Sequence, residues 1–203
     1  MKLYDQARAP NPRRVRIFLA EKGISVPLVS VDLGKLEHKS AEFTRINPRQ
    51  AVPALVLDDG TVISETMAIC RYFEAVQPEP NLFGATPLEQ AQVEMWQRRV
   101  ELELFLPVAT VLRHLNPAMA AMEVPQVPQW GEANKPKVLA FLEFLNGELA
   151  DRAYVAGARF TVADITAIVA VDFMRAIRTE VPEHLTHLLR WRHVVSERPS
   201  MKA

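Results

Sequence analysis

Val52-Pro53-Ala54-Leu55-Val56-Leu57-Asp58-Asp59-Gly60-Thr61-Val62-Ile63-Ser64-Glu65-Thr66-Met67-Ala68-Ile69 is the stretch on which the fold turns. Two runs rich in aliphatic residues flank Asp59-Gly60, a pair suited to the positive backbone angles of a tight turn, so residues 52–63 read as a β-hairpin. From Ser64 the period changes. Met67, Ile69, Tyr72, Phe73 and Val76 recur at helical spacing, so the hairpin runs straight into a helix. Toward the N-terminus, residues 40–46 read as a short helix, residues 26–31 alternate like a strand, and Leu3-Tyr4 sits in a short opening strand. Between those strands Val15, Phe18 and Leu19 recur at helical spacing. Asn11-Pro12 reads as the start of that helix, with asparagine as the cap, and Glu21-Lys22-Gly23 as its end. The order β-α-β-α-β-β-α predicts a mixed four-stranded sheet with helices packed on it.

Toward the C-terminus the β signals vanish. Pro78, Pro80, Gly84 and Pro87 mark a linker. Residues 88–115 form a long amphipathic helix candidate, and the proline-rich residues 122–136 read as a loop. Further helices are expected at 137–149, 162–177 and 185–198. The class is therefore α/β plus all-α: a mixed-sheet domain at residues 1–76, a linker at 77–86 and a helical bundle domain at 87–203.

The 203 residues carry 24 Lys plus Arg against 24 Asp plus Glu, so the net charge is zero and no long-range field draws in nucleic acid or an anionic membrane. The single cysteine, Cys70, rules out an internal disulfide framework and argues against a cysteine-based metal site. Its place between Met67 and Phe73 suits a small buried hydrophobe. The first residues hold no apolar signal core, and no apolar run is long enough to cross a bilayer. A cytoplasmic location, no membrane partner and no nucleic-acid partner are the expectations.

Three segments in order resemble the cytosolic glutathione transferase family. They are Asn47-Pro48-Arg49-Gln50-Ala51-Val52-Pro53-Ala54-Leu55, where the family usually shows Asn-Pro-x-Gly-Gln-Val-Pro-x-Leu; Ser64-Glu65-Thr66-Met67-Ala68-Ile69, with threonine where the family has serine; and Phe160-Thr161-Val162-Ala163-Asp164-Ile165, whose Thr161 and Asp164 form a helix-capping box. Ala9-Pro10-Asn11-Pro12-Arg13-Arg14-Val15-Arg16, Glu37-His38-Lys39-Ser40 and the run from Arg99 to Pro107 are similar to the branch that includes a yeast-type transferase and many bacterial relatives. Family members carry a thioredoxin-like N-terminal domain and a helical C-terminal domain. They use glutathione as co-substrate without a metal, and are usually homodimers. Here a dimer would cover apolar residues such as Met95 and Trp96. Family members also commonly continue past the position of Ala203.

The resemblance also implies a set of site residues. Pro53 would follow a cis bond, so that Val52 pairs through its backbone with the cysteinyl residue of glutathione; base rates alone favour an ordinary trans proline. Glu65 would meet the γ-glutamyl ammonium, and Thr66 with the first N–H groups of its helix would hold the neighbouring carboxylate. The same residues also read as a plain helix cap. His38 and Lys39 would meet the glycyl carboxylate, or are two solvated loop residues. Ala51 replaces a glutamine that contacts the peptide, and Gln50 one place earlier turns its side chain elsewhere.

The thiol-activating position is the departure from the pattern. Ala9 stands where relatives carry serine or cysteine, and Tyr4 reads as a structural strand residue. The helix starting near Asn11 offers another route. Its N-terminus, the Asn11 amide and the charge of Arg13 or Arg14 would stabilise a thiolate whose free pKa is about 8.5. In the yeast-type relative a serine and a histidine on the long fourth helix hold an ordered water; the matching positions here are Ala109 and Arg113, with His114 beside them. Leu106, Thr110, Arg113 and the loop after Leu115 would line the pocket for a hydrophobic electrophile, and Arg99 and Glu103 read as an ion pair. The expected function is glutathione conjugation. A glutathione-dependent disulfide reductase or peroxidase, and a non-catalytic glutathione or hydrophobe binder, remain the alternatives.

Overall fold

The computed structural model describes residues 1–203 as two compact units, Met1–Asn81 with Pro199–Ala203, and Leu82–Arg198. The first unit runs β1 (Lys2–Asp5), α1 (Pro10–Lys22), β2 (Leu28–Ser30), α2 (Ala41–Ile46), β3 (Ala54–Val56), β4 (Val62–Ser64) and α3 (Thr66–Val76). The sheet order is β2-β1-β3-β4, with β1 parallel to β2 and antiparallel to β3, and β3 antiparallel to β4. This is the expected thioredoxin-like arrangement.

Its core follows from the sequence periods. Leu3 and Leu55 are fully buried and pair directly across β1 and β3. Helix α1 buries Val15, Ile17, Phe18 and Leu19, and packs against α3, which buries Ile69, Cys70 and Phe73. Tyr4 packs with Phe43, Val31 and Val52, its ring edge-on to Phe43 at 5.7 Å, so its place is structural. Lys22, whose side chain is fully buried, joins the ends of α1 and α3. Its Nζ donates to Gln77 O (2.8 Å) and Pro78 O (3.0 Å) and lies 2.5 Å from Glu74 Oε2. The last five residues return to this unit, where the Ser200 hydroxyl donates to Glu21.

Two local expectations are corrected here. The cap of α1 is Ala9, not Asn11. The helix already begins at Pro10, whose missing N–H suits the first position, and Arg13 N–H reaches Ala9 O at 3.2 Å. The second strand is shorter than 26–31, because only three residues pair with β1.

The second unit is all helical: α4 (Pro87–Val100), a π turn (Glu101–Phe105), α5 (Leu106–Leu115), α6 (Pro128–Glu148), α7 (Val162–Phe173) and α8 (Thr186–Ser196). The long helix expected at 88–115 is interrupted. Pro107 has no N–H to give to the carbonyl of Glu103, and Leu106 N–H reaches back five residues to Glu101 O. The loop expected at 122–136 is largely helix, since α6 starts at Pro128 and runs through Pro136. Packing overrides the proline: Gly131, Asn134, Val138, Phe141, Leu142 and Leu145 line one buried face, and Gly131 sits so close to Leu115 that a Cβ would lie 2.6 Å from its Cγ. Helix α7 is buried over its first ten residues. Thr161 and Asp164 form the capping box, and Asp164 also accepts from Val155 N–H and Trp191 Nε1, both at 2.9 Å. Trp96 is 2% exposed, stacked on Phe144 at 5.8 Å and flanked by the Arg99 and Arg152 guanidiniums, so it offers no free apolar surface. Arg99 lies over that ring rather than pairing with Glu103. No helix is long and apolar enough to cross a membrane.

Candidate active site

Strand register gathers the candidate residues of the first unit. Tyr4 pairs with Ala54, Ala54 with Ser64, and Asp5 with Ser30, so four strand ends lie along one edge of the sheet. From that edge the chain leaves β1 toward Ala9 and α1, leaves β2 toward the turn Glu37–Lys39, enters β3 through Ala51-Val52-Pro53, and leaves β4 through Glu65 into α3. Residues far apart in sequence are brought to one place by alternation and crossover alone.

Asn47 shapes the approach to β3. It is buried, its Nδ2 donates to Ala51 O at 2.8 Å, and its Oδ1 accepts from Arg49 N–H at 3.1 Å. Gln50 has φ 53°, which explains why glycine suits this place in the family pattern, and its side chain turns back to donate to Thr44 Oγ1 at 3.1 Å. Ala51 is exposed, and the Val52–Pro53 bond is cis. Strand β3 begins only at Ala54, so the N–H and C=O of Val52 take no part in the sheet ladder.

At the β4–α3 junction Glu65 is held at φ 71°, a conformation that costs a side-chain-bearing residue of order 1–3 kcal/mol and persists where surrounding structure imposes it. Glu65 occupies the cap position, yet no side chain caps α3. Its carboxylate is exposed and pairs with nothing in the fold, and the Thr66 hydroxyl beside it is likewise unbonded. A helix of eleven residues thus presents its first N–H groups next to a hydroxyl and a carboxylate, which together match an ammonium–carboxylate pair.

His38 is 7% exposed and its Nδ1 has no partner. Burial, and then the adjacent Lys39 charge, hold its pKa below the ordinary histidine value. Lys39 is exposed at the end of the same turn. In the first turn of α1, Asn11 and Arg13 are half-buried, and Asn11 Oδ1 accepts from Arg14 Nη2 at 2.6 Å. Arg16 fixes the loop before it by donating to Asp5 Oδ1 and Ala7 O. Cys70 is fully buried, and burial pushes its thiol up to about 12, which makes it inert.

Arg113 and His114 belong to the second unit and hold the loop that follows them. Arg113 Nη1 reaches Glu123 Oε2 at 3.2 Å. Val127 N–H donates to His114 Nδ1 at 3.0 Å, and His114 Nε2 stands 3.8 Å from Glu123 Oε1. A ring nitrogen that accepts is unprotonated, so the neutral His114 carries its hydrogen on Nε2. Between the π turn, α5 and α6 lies a cleft of about 500 Å³ with apolar walls, lined by Leu102, Leu106, Thr110, Trp130, Phe141 and Phe144. Leu106 and Thr110, expected to line an electrophile pocket, both line this cleft, whereas Arg113 is turned to Glu123.

Sequence reasoning missed three features. The positive φ of Glu65 leaves no trace in composition, and the buried Nδ1 of His38 depends on tertiary packing. The Asn11–Arg14 bond did have a signal, since helical residues three apart face one another.

Comparison with known proteins follows the same division. Residues 9–76 match the glutathione S-transferase N-terminal domain and residues 105–199 the C-terminal domain. Glutathione S-transferase 2 of Saccharomyces cerevisiae is 40% identical over 205 residues, covering 100% of this chain and 88% of its own. The crystal structure of Gtt2 from the same yeast has a TM-score of 0.95 at 40% identity, covering 100% of this chain and 99% of that one. A glutathione S-transferase domain-containing protein of Marinobacter aquaeolei has a TM-score of 0.96 at 42% identity, covering 99% and 100%. With both domains matched and a relative of this identity aligned over nearly its whole length, the chain belongs to the glutathione S-transferase family.

Proposed function

We propose that the protein binds reduced glutathione along the sheet edge of its first unit and stabilises the thiolate for attack on a hydrophobic electrophile. The observation that carries this is the uncapped N-terminus of α3, with the Glu65 carboxylate and the Thr66 hydroxyl beside it and none of them satisfied within the fold. Glu65 receives the γ-glutamyl ammonium, and Thr66 with the first N–H groups holds the carboxylate. The backbone of Val52, ahead of Pro53, pairs with the cysteinyl residue as an added strand would. His38 and Lys39 meet the glycyl carboxylate, and Ala51 leaves room beside the peptide without contacting it.

In this reading the cysteinyl sulfur lies toward the start of α1. No hydroxyl or thiol is supplied there, because the cap is Ala9. Pro10 and Pro12 have no N–H, so the donors in the first turn are the N–H and Nδ2 of Asn11, with the charge of Arg13 adding to the helix dipole. Catalysis then comes from binding, orientation and electrostatic stabilisation of the thiolate, without a covalent enzyme intermediate. Arg113 and His114 serve by holding the loop after α5 in place. A homodimer in the cytoplasm is the accompanying expectation.

Ultraviolet titration of glutathione bound to wild type and to Asn11→Ala tests this. The bound thiol should ionise well below its free value of about 8.5 in wild type, and the variant should raise it by about one unit, the loss of one hydrogen bond to a charged group. A bound thiol that keeps its free value in wild type would refute conjugation, and turnover of a glutathione-linked disulfide would then identify the redox alternative.

A further inference from the structure

The first turn of α1 contains a bond that the chemistry above leaves unused. Arg14 is 3% exposed, and its Nη2 donates to Asn11 Oδ1 at 2.6 Å. The guanidinium is buried where α1 packs on α3, and its charge and that of Glu74 both act on Cys70. A guanidinium has donors only, so this bond decides which end of the amide faces it. Oδ1 is committed to Arg14, and Nδ2, with its two hydrogens, is the end that no partner in the fold occupies. The flanking prolines remove the neighbouring N–H groups, and Asn11 keeps its own. Every polar atom Asn11 has left to offer a ligand is therefore a donor.

We propose that Arg14 is a positioning residue for the sulfur site, holding the Asn11 amide with its NH₂ group toward the glutathione sulfur so that the site accepts thiolate in preference to thiol. This rests on Asn11 being the group that meets the sulfur. Without Arg14 the amide is free to flip, and its carbonyl oxygen, turned outward, would favour a protonated thiol as donor. The charge of Arg14 also polarises the amide along the N–C–O axis, which strengthens Nδ2 as a donor.

The test is ultraviolet titration of bound glutathione, with its Kd from calorimetry at low pH, on wild type, Arg14→Met, Arg14→Lys, Asn11→Ala and the Arg14→Met/Asn11→Ala double variant. Arg14→Met should raise the bound thiol pKa by about half to one unit, Asn11→Ala by about one unit, and Arg14→Met should add nothing in the Asn11→Ala background. Arg14→Lys, which keeps a charged donor, should restore part of the shift. The proposal is overturned if Arg14→Met titrates like wild type while Asn11→Ala does not, or if the Arg14→Met shift persists in the double variant. If Asn11→Ala itself titrates like wild type, the role of Asn11 fails and the proposal falls with it. Where Arg14→Met does not fold, Asn11→Asp decides the matter with Arg14 intact: one carboxylate oxygen stays on Arg14, the other faces the sulfur, and the bound thiol should ionise at higher pH than in Asn11→Ala. An equal or lower value overturns the proposal.

Discussion

Replacing Lys22 with methionine keeps most of the side chain's volume and removes its charge. The wild-type ammonium is fully buried, 2.5 Å from Glu74 Oε2 and hydrogen-bonded to the carbonyls of Gln77 and Pro78, while Glu74 keeps 13% exposure. Removing one partner of a buried ion pair costs about 3–5 kcal/mol, because the other charge is left uncompensated. Two features move this site to the lower end. The two carbonyls belong to exposed residues, where water replaces the lost donor, and Glu74 has further partners and some contact with solvent. Lys22→Met should therefore cost about 3 kcal/mol, and at about 2–4 °C per kcal/mol for a chain of this size its melting temperature should fall by about 6–12 °C. Thermal unfolding followed by circular dichroism measures this directly. A second step isolates the pair. Glu74→Gln, destabilising alone, should be less so or even stabilising in the Lys22→Met background, with a coupling energy of about 1.5 kcal/mol or more. A Lys22→Met protein melting within about one degree of wild type, or two costs that simply add, would refute the reasoning.

Burial pushes the Asp164 carboxyl up to about 6, against the pull of its four hydrogen bonds. Because this lies above the ordinary 3.8, the folded state binds the proton more tightly than the unfolded chain, so this group's contribution is complete below about 3.8 and is lost as pH rises through about 6. Wild type should therefore gain stability relative to Asp164→Asn as pH falls from 7 to 5 in parallel urea titrations; a gap that is flat or widens the other way contradicts this. Glu65→Gln should weaken glutathione binding by about 10-fold or more through loss of one charge-assisted hydrogen bond, and calorimetry showing unchanged affinity would remove Glu65 from the site. Cys70, with its thiol pushed up to about 12, should resist an aromatic disulfide reagent in the native protein at pH 8 and react at once in denaturant. Stoichiometric labelling of the native state would place Cys70 in an accessible position instead.

The legible part of the fold was the part written in local periods. The Asp59-Gly60 turn, the helix after Ser64 and the capping box at Thr161 each depend on residues within a few positions, and the structure contains all three. Where packing outweighs local preference the sequence misleads. Pro136 reads as a loop residue, yet the buried face from Gly131 to Leu145 carries the helix through it. Asn11 has the chemistry of a cap, but Pro10 before it is the better first residue, which leaves the cap to Ala9. The positions of the candidate site residues were legible through the family pattern. Their states were not: the positive φ of Glu65 and Gln50, the unpartnered Nδ1 of His38 and the orientation of the Asn11 amide all arise from contacts that no short window of sequence contains.

The π turn at Glu101–Phe105 is a place where the chain can change length without re-phasing its helices. Its bond from Leu106 N–H to Glu101 O encloses one residue more than an α turn for about the same rotation, so deleting one residue here would let the widened turn tighten toward an α-helix with both flanks in phase. The buried face carrying Val93, Trp96 and Val100 would keep its direction relative to α5. A deletion within α4 itself has no such slack: each α-helical residue turns the chain by about 100°, so the residues before the deletion would be rotated by that angle and their buried side chains swung out of the bundle. In library design, the five-residue turn can be varied in number as well as identity, and α4 in identity alone.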